Sequence, residues 1–355
     1  MSRSTKDAYA PSGAMRLAAL ASAAYRHVFA AGPVAPLLSR PNPVRRTGFD
    51  LDLRIGEIRP EAEDVVSLTL ESDGEPLPRW VPGAHLDVFL PSGRQRQYSL
   101  CGDPADRHAY RIAVRRLGDG LGGSREVHGL RAGTRITARG PRNAFALVDA
   151  PSYLFVAGGI GITPILPMVR ACHERGVPWR LVYLGRSRAS MPFLGELAGY
   201  DSGVADIRPD DEAGLPDITG ILPLAAPGAA IYLCGPPPLM LTARGLVREI
   251  NPTASLHTER FSPLPVVDGT PFEIRLYRSG VTVPVAADES ALTAIRRVVP
   301  GVAYSCRQGF CGTCTTPVLA GTVEHRDRVL PGGEREKSML VCVSRSAGGP
   351  LLLDL

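Results

Sequence analysis

The last fifty residues of this 355-residue chain hold four cysteines whose spacing could bind metal. Cys306, Cys311 and Cys314 make a C-x4-C-x2-C run, and Cys342 stands well downstream. This is the spacing of a [2Fe–2S] centre, with three thiolates from one tight loop and a fourth from a distant segment folded back over it. Gly309 and Gly312 let the loop wrap closely, so that amide N–H groups can face the sulfurs and tune their potential. A structural zinc site with four thiolates is the competing chemistry. Zinc ligands more usually come as two C-x2-C knuckles, and Cys342 has no such companion, so the iron–sulfur reading leads.

A second group of residues suits a pyrophosphate. Gly158, Gly159 and Gly161 follow an apolar run and open a helical stretch, with Thr163 just inside it. Glycines there permit a tight turn and a close backbone approach, and the helix start offers free N–H groups and a positive dipole end. The pattern departs from G-x-G-x-x-G. The end of the next strand carries Arg186 and Arg188 rather than an acidic residue, and these arginines either meet a 2′-phosphate or are simply solvated. Alone, such a turn also fits ordinary strand–helix packing. Cys234, Gly235 and Pro236 repeat the strand-to-helix transition further on.

The elements that must position these groups change period along the chain. Residues 1–47 are Ala/Leu-rich and then Pro-rich. A surface helix is expected there in preference to a membrane or partner anchor, because the polar face has few basic residues. Six short strand-like segments follow at 51–58, 65–70, 84–90, 97–101, 110–117 and 134–138, which suggests an antiparallel β-barrel. From Tyr153 the apolar runs at 153–157, 179–184 and 230–234 alternate with helical stretches, including one at 165–175, and imply an α/β unit on a parallel sheet. After a linker at 263–270, segments 272–276 and 281–285 can pair as a hairpin, and 288–299 reads as a helix before the cysteine loop. The expected division is therefore an extension at 1–47, a barrel domain at 48–150, an α/β domain at 151–262, the linker, and an α+β domain at 271–355.

Composition narrows the function classes. A hydrophobic fraction of 44% against 21% charged residues supplies several packed cores and excludes a wholly disordered chain. The net charge of +5 is spread without blocks and gives no sign of a nucleic-acid binder. No apolar run reaches the ~20 residues of a transmembrane helix. Seven cysteines, an odd number without an export signal, point to a reducing, cytoplasmic setting rather than a disulfide framework.

The segment 272–355 resembles a plant-type ferredoxin domain with a β-grasp-like fold. The cysteine run, G-T-V-E-H-R-D at 321–327 and M-L-V-C-V-S at 339–344 carry the likeness. The two glycine segments together are similar to the nicotinamide domain of the ferredoxin–NADP reductase superfamily. There the cysteine matching Cys234 lies near the nicotinamide; by its sequence alone, Cys234 equally fits an inert core thiol. The order of domains over residues 48–355 resembles the phthalate dioxygenase reductase family, shared by vanillate demethylase reductases.

The resemblance implies a flavin site. Arg96, Gln97, Tyr98 and Ser99 match the flavin signature, with Arg96 for the flavin phosphate, Tyr98 as an aromatic wall and Ser99 as a donor near the reactive ring nitrogen. Gly122, Gly123 and Ser124 match a phosphate-binding turn, and Ala113, Val114 and Arg115 the strand passing the isoalloxazine. Phe261 is either a cover on the flavin or a linker-packing residue. Tyr98, Ser99, Thr163 and Cys234 are the expected catalytic set.

The implied cofactors are FMN, with FAD as alternative, NADH, with NADPH left open by the residues, and a [2Fe–2S] cluster. A nicotinamide releases two electrons as hydride and a cluster accepts one, so flavin must stand between them. The implied activity is that of an electron-transfer reductase, a monomer, feeding a terminal oxygenase. A Rieske-type oxygenase comes first, and a haem-thiolate monooxygenase (cytochrome P450 type) or another iron enzyme next. A zinc- or redox-sensing binding protein is the reading from another class. A self-contained flavin reductase would not need a tethered cluster. The histidines are scattered, so substrate oxidation is expected on the partner protein.

Overall fold

The computed structural model describes residues 50–118, 122–201 and 204–355; the helix expected within 1–47 lies outside them. The first sheet contains β1 (Asp50–Ala62), β2 (Val65–Ser72), β3 (Ala84–Phe89), β4 (Gln95–Ser99), β5 (Ala109–Arg115) and β6 (Arg135–Asn143), in the spatial order β4-β3-β6-β1-β2-β5. Every pairing is antiparallel. A bridge between Leu100 and Ile112 joins the two edges, so the sheet closes as the expected barrel. Period-two alternation fills its interior. Leu53 and Ile55, Leu68 and Leu70, Leu86 and Val88, Ile112 and Val114, and Ile136 and Ala138 enter one buried cluster. Helix α1 (Gly123–His128) lays Val127 against it.

The second sheet is all parallel, ordered β11-β10-β7-β8-β9, with β7 (Tyr153–Gly158), β8 (Trp179–Gly185), β9 (Ala205–Pro209), β10 (Ala230–Cys234) and β11 (Ser255–Glu259). Both faces are covered, as a parallel sheet requires. Tyr153, Phe155 and Ala157 pack with α2 (Ile162–Glu174) on one side. Leu154 and Val156 pack with α3 (Pro237–Ile250) on the other. The first of these cores also takes in Val65, Cys101 and Ala113, so barrel and parallel sheet share buried apolar surface. Helix α2 begins three residues before its expected start and includes Pro164 and Pro167. Pro164 sits in the first turn, where its missing N–H breaks no helical bond. The sequence reading omits β9 and β11, which are short and half-buried.

The third sheet is mixed and ordered β13-β12-β16-β14-β15, from β12 (Phe272–Leu276), β13 (Thr282–Val285), β14 (Thr315–Glu324), β15 (Ser338–Leu340) and β16 (Arg345–Leu353). β12 and β13 form the expected hairpin, and β12 pairs in parallel with β16. Helix α4 (Ala291–Arg296) is shorter than expected because Ser290 caps it, accepting from Thr293 N at 3.2 Å. The strands after the cysteine loop carry a weaker sequence signal, since β14 alternates with exposed Ala, Gly and Thr. Arg345 is 1% exposed and donates to the carbonyls of Glu289, Thr270 and Ala286. It ties the start of β16 to the loops before β12 and α4.

Candidate functional site

Three sets of side chains meet where the sheets adjoin. The cysteine loop follows the Val302–Tyr304 packing and precedes β14. Arg307, Gly309 and Gly312 take positive φ values of 55°, 77° and 72°. A Cβ on Gly309 would lie 2.7 Å from Val343 Cγ2, beside the fourth cysteine, so the loop and the Cys342 segment touch where only glycine fits. Cys306, Cys314 and Cys342 are buried and Cys311 is partly open. Their thiols associate in two pairs, Cys306 with Cys311 and Cys314 with Cys342, and each pair lies within electrostatic reach of the other. Two thiolates for each of two irons is the donor arrangement of a [2Fe–2S] cluster, so this donor set fits that group. Among the described residues, no three His, Cys, Asp or Glu side chains gather in the geometry of a single-ion site. Gln308 N donates to Cys306 Sγ at 3.3 Å, a backbone contact of the kind that tunes a cluster.

The residues expected at the flavin lie on β4, β5 and the start of α1. A Cβ on Gly123 would fall 2.3 Å from Arg96 Nε, so the arginine lies directly over the glycine turn that begins α1. Gly122 holds φ 79° there. A guanidinium beside free helix-start N–H groups fits a phosphate. Ser124 Oγ accepts from Leu117 N at 3.0 Å, which braces the turn. Burial pushes the Tyr98 phenol up to about 12, so it stays protonated. The side chains of Ala113 and Val114 enter the two cores on opposite faces of β5, and Val114 O is bonded to His128 Nε2 at 2.9 Å. Arg115 reaches toward Gly159, with its guanidinium 3.7 Å from where a Cβ would stand.

The residues expected at the nicotinamide crowd together at the carboxyl ends of β7 and β10. A Cβ on Gly158 would strike Pro236 Cδ at 2.7 Å, and one on Gly161 would strike Cys234 O at 2.1 Å. The two glycine segments therefore form one close-packed cradle, with Gly235 against Gly158. Thr163 is buried and its hydroxyl donates to Ile160 O at 3.0 Å, bracing the turn from within. Cys234 is 1% exposed, and burial, reinforced by Glu259, holds its thiol protonated. Phe261 stands 49% exposed beyond β11. Arg188 is engaged by Glu212 through Nε at 2.8 Å and NH2 at 3.0 Å.

Two groups escaped the sequence reading. Glu259 lies opposite Cys234 in the β10–β11 register and accepts from Ser99 Oγ at 3.4 Å. Burial raises its carboxyl to about 8. Ser99, Cys234 and Glu259 thus come together from three strands, and no sequence spacing signals it. The second group is polar contact between β4 and the cysteine loop. Gln95 Nε2 donates to Tyr304 O at 2.8 Å, and Gln97 Nε2 to Ser305 Oγ at 2.7 Å. The Gln97 amide, expected at the flavin, is directed to the residue before Cys306.

A family model described as a 2Fe-2S iron-sulfur cluster binding domain matches residues 274–347. The phenoxybenzoate dioxygenase subunit beta of Ectopseudomonas oleovorans is 41% identical over 312 residues, 86% of this chain and 97% of that protein. The phthalate dioxygenase reductase of Burkholderia cepacia is 37% identical over 318 residues, 87% of this chain and 98% of that one. A solved phthalate dioxygenase reductase superposes with a TM-score of 0.65 at 37% identity, covering 86% of this chain and 98% of that chain.

The chain belongs to the phthalate dioxygenase reductase family.

It is accordingly an NAD(P)H-dependent oxidoreductase, the reductase component of an oxygenase system, in which electrons pass from a pyridine nucleotide to a [2Fe–2S] cluster. The family's cofactor set is FMN, NADH and that cluster. An intact type IV self-sufficient cytochrome P450 monooxygenase also superposes, with a TM-score of 0.68 at 38% identity over 92% of this chain; the chain spans 45% of that protein. Among the described residues, no helix is long and apolar enough to cross a membrane.

Proposed function

We propose that the protein takes electrons from NADH at FMN and delivers them one at a time, through its cluster, to a separate Rieske-type terminal oxygenase in the cytoplasm. The observation that carries this reading is the juxtaposition on β4. Arg96 and Tyr98 alternate with Gln95 and Gln97, and the two glutamines bond to residues just before Cys306. One strand thus serves both the flavin side and the cluster side. When bound, the flavin supplies the step between hydride and single-electron chemistry. Arg96 and the Gly122–Gly123 turn anchor its phosphate, Tyr98 walls it, and Ser99 and Glu259 offer a donor and an exchangeable proton beside the Gly158–Gly161 cradle. The preference for NADH over NADPH is supported by the Arg188–Glu212 pair, which gives that guanidinium a partner other than a 2′-phosphate. Rapid-mixing reduction by each nucleotide, read separately at flavin and cluster, tests the reading. Faster reduction by NADPH would overturn the nucleotide assignment.

The second reading is a haem-thiolate monooxygenase as acceptor, favoured by the likeness to the self-sufficient P450. Electron delivery to purified oxygenases of each type separates the two.

A further inference from the structure

We propose that Asp87 is a positioning residue for electron passage from flavin to cluster. Its carboxylate grips one end of the cysteine loop directly and the other through Arg142, and so holds the loop against the flavin strand. This inference rests on the proposed function and adds to it a group outside both cofactor sites.

Asp87 lies on β3, paired in register with Gln97 of β4, and is 1% exposed. Both of its oxygens accept from Ser305 Oγ, at 3.0 Å and 3.0 Å. Ser305 is itself 4% exposed and immediately precedes Cys306. Arg142 NH1 bonds Asp87 Oδ2 at 3.0 Å and also reaches Thr313 Oγ1 at 3.3 Å, the residue immediately before Cys314. One ion pair of the barrel, buried on the Asp87 side and partly open at Arg142, therefore holds the residue before the first loop cysteine and the residue before the third. Gln97 adds its amide to Ser305, and Tyr304 OH returns a bond to Gln95 O at 3.4 Å.

A buried carboxylate is costly unless its oxygens are satisfied. Here the hydroxyl that satisfies Asp87 belongs to the cysteine-bearing domain. A slide of that domain would take the Ser305 hydroxyl from both carboxylate oxygens and leave the charge to Arg142 of the barrel, so the contact defines a narrow docked position rather than general adhesion. Stored at the root of the loop, that constraint reaches the cysteines through a single peptide unit. Period-two alternation places Arg96 and Tyr98 on the other face of the neighbouring strand, so the same backbone positions both partners of the transfer.

The test uses the full chain carrying flavin and cluster, in wild-type, S305A, S305T and D87N forms, with D354N as a control that breaks only the exposed Arg278 ion pair of the same domain. Rapid mixing with NADH separates flavin reduction from cluster reduction, and hydrogen exchange over 304–314 reports docking independently of turnover. In S305A and D87N, flavin reduction by NADH should stay at the wild-type rate. Cluster reduction should slow, and exchange over 304–314 should rise, each about tenfold, from loss of charge-assisted bonds to a buried carboxylate. S305T, which keeps the hydroxyl, should restore both, and D354N should alter neither. If D87N does not fold, S305A carries the test. Wild-type cluster reduction and exchange in S305A would overturn the proposal, as would equal slowing of the NADH step. A wild-type flavin that NADH does not reduce would instead overturn the functional reading, while the exchange comparison would still decide the latch.

Discussion

Replacing Gly161 with alanine should disable the nicotinamide step while leaving the rest of the protein loaded. Gly161 has φ −62°, an ordinary helical value, so alanine carries no backbone strain there. The contact is the obstacle. The new Cβ would lie 2.1 Å from Cys234 O and 2.7 Å from its carbonyl carbon, and both are backbone atoms. Close C···O contacts stop near 3.3 Å, so the cradle must open by about 1 Å. Overpacking of this kind costs about 1–3 kcal/mol of stability. A displacement of about 1 Å at a reacting pair costs about a hundredfold in rate. The measurement is anaerobic rapid mixing with NADH, following flavin bleaching, on protein whose visible spectrum shows flavin and cluster present. Flavin reduction should fall about a hundredfold, while reduction by dithionite is unchanged. Gly176→Ala is the control, since its φ is +64° but no atom lies within 4 Å of its Cβ. A Gly161→Ala protein with wild-type melting temperature and wild-type reduction rate would refute the argument that this contact sets nicotinamide geometry.

Other outcomes follow from single contacts. Gly309→Ala meets both a φ of 77° and Val343 at 2.7 Å, so the purified variant should lose most of its iron and acid-labile sulfide by chemical analysis. Glu259 is protonated in the fold up to about 8 against an ordinary 4.5. Between those values the unfolded chain releases a proton that the folded chain retains, so stability falls as pH rises through this window. Glu259→Gln should flatten that part of the melting-temperature profile, and an unchanged slope would remove Glu259 as its source. Glu212→Ala frees an exposed guanidinium and should raise kcat/KM for NADPH relative to NADH by about threefold, measured in steady-state turnover.

How far the sequence alone reaches depends on whether the signal is local. The cysteine run carries its chemistry in consecutive positions, and the loop and pairing follow its spacing. The barrel strands are legible because Leu53/Ile55 or Leu86/Val88 alternate cleanly. β4 is the exception: its expected place at 97–101 lies two residues beyond the observed Gln95–Ser99, because Gln95, Arg96 and Gln97 are polar on both faces. They are polar because one face meets another domain. Glu259 was hidden for the opposite reason. Its partners Ser99 and Cys234 come from distant strands, and its β-strand is only five residues of mixed character. Asp87 alternates with Leu86 and Val88 as an outward polar residue would, and only the fold reveals that it is buried and that Ser305 and Arg142 answer it.

The central claim is that this one chain converts paired electrons into single ones by way of flavin and then cluster. The most direct measurement is a single anaerobic turnover with NADH, with flavin absorbance and the cluster's paramagnetic signal recorded on the same samples, for wild-type protein and Cys311→Ser. The account predicts flavin reduction first, the reduced-cluster signal second, and in Cys311→Ser flavin reduction without electron delivery to an outside acceptor protein. A cluster that stays oxidised beside fully reduced flavin, or undiminished delivery by Cys311→Ser, would contradict it.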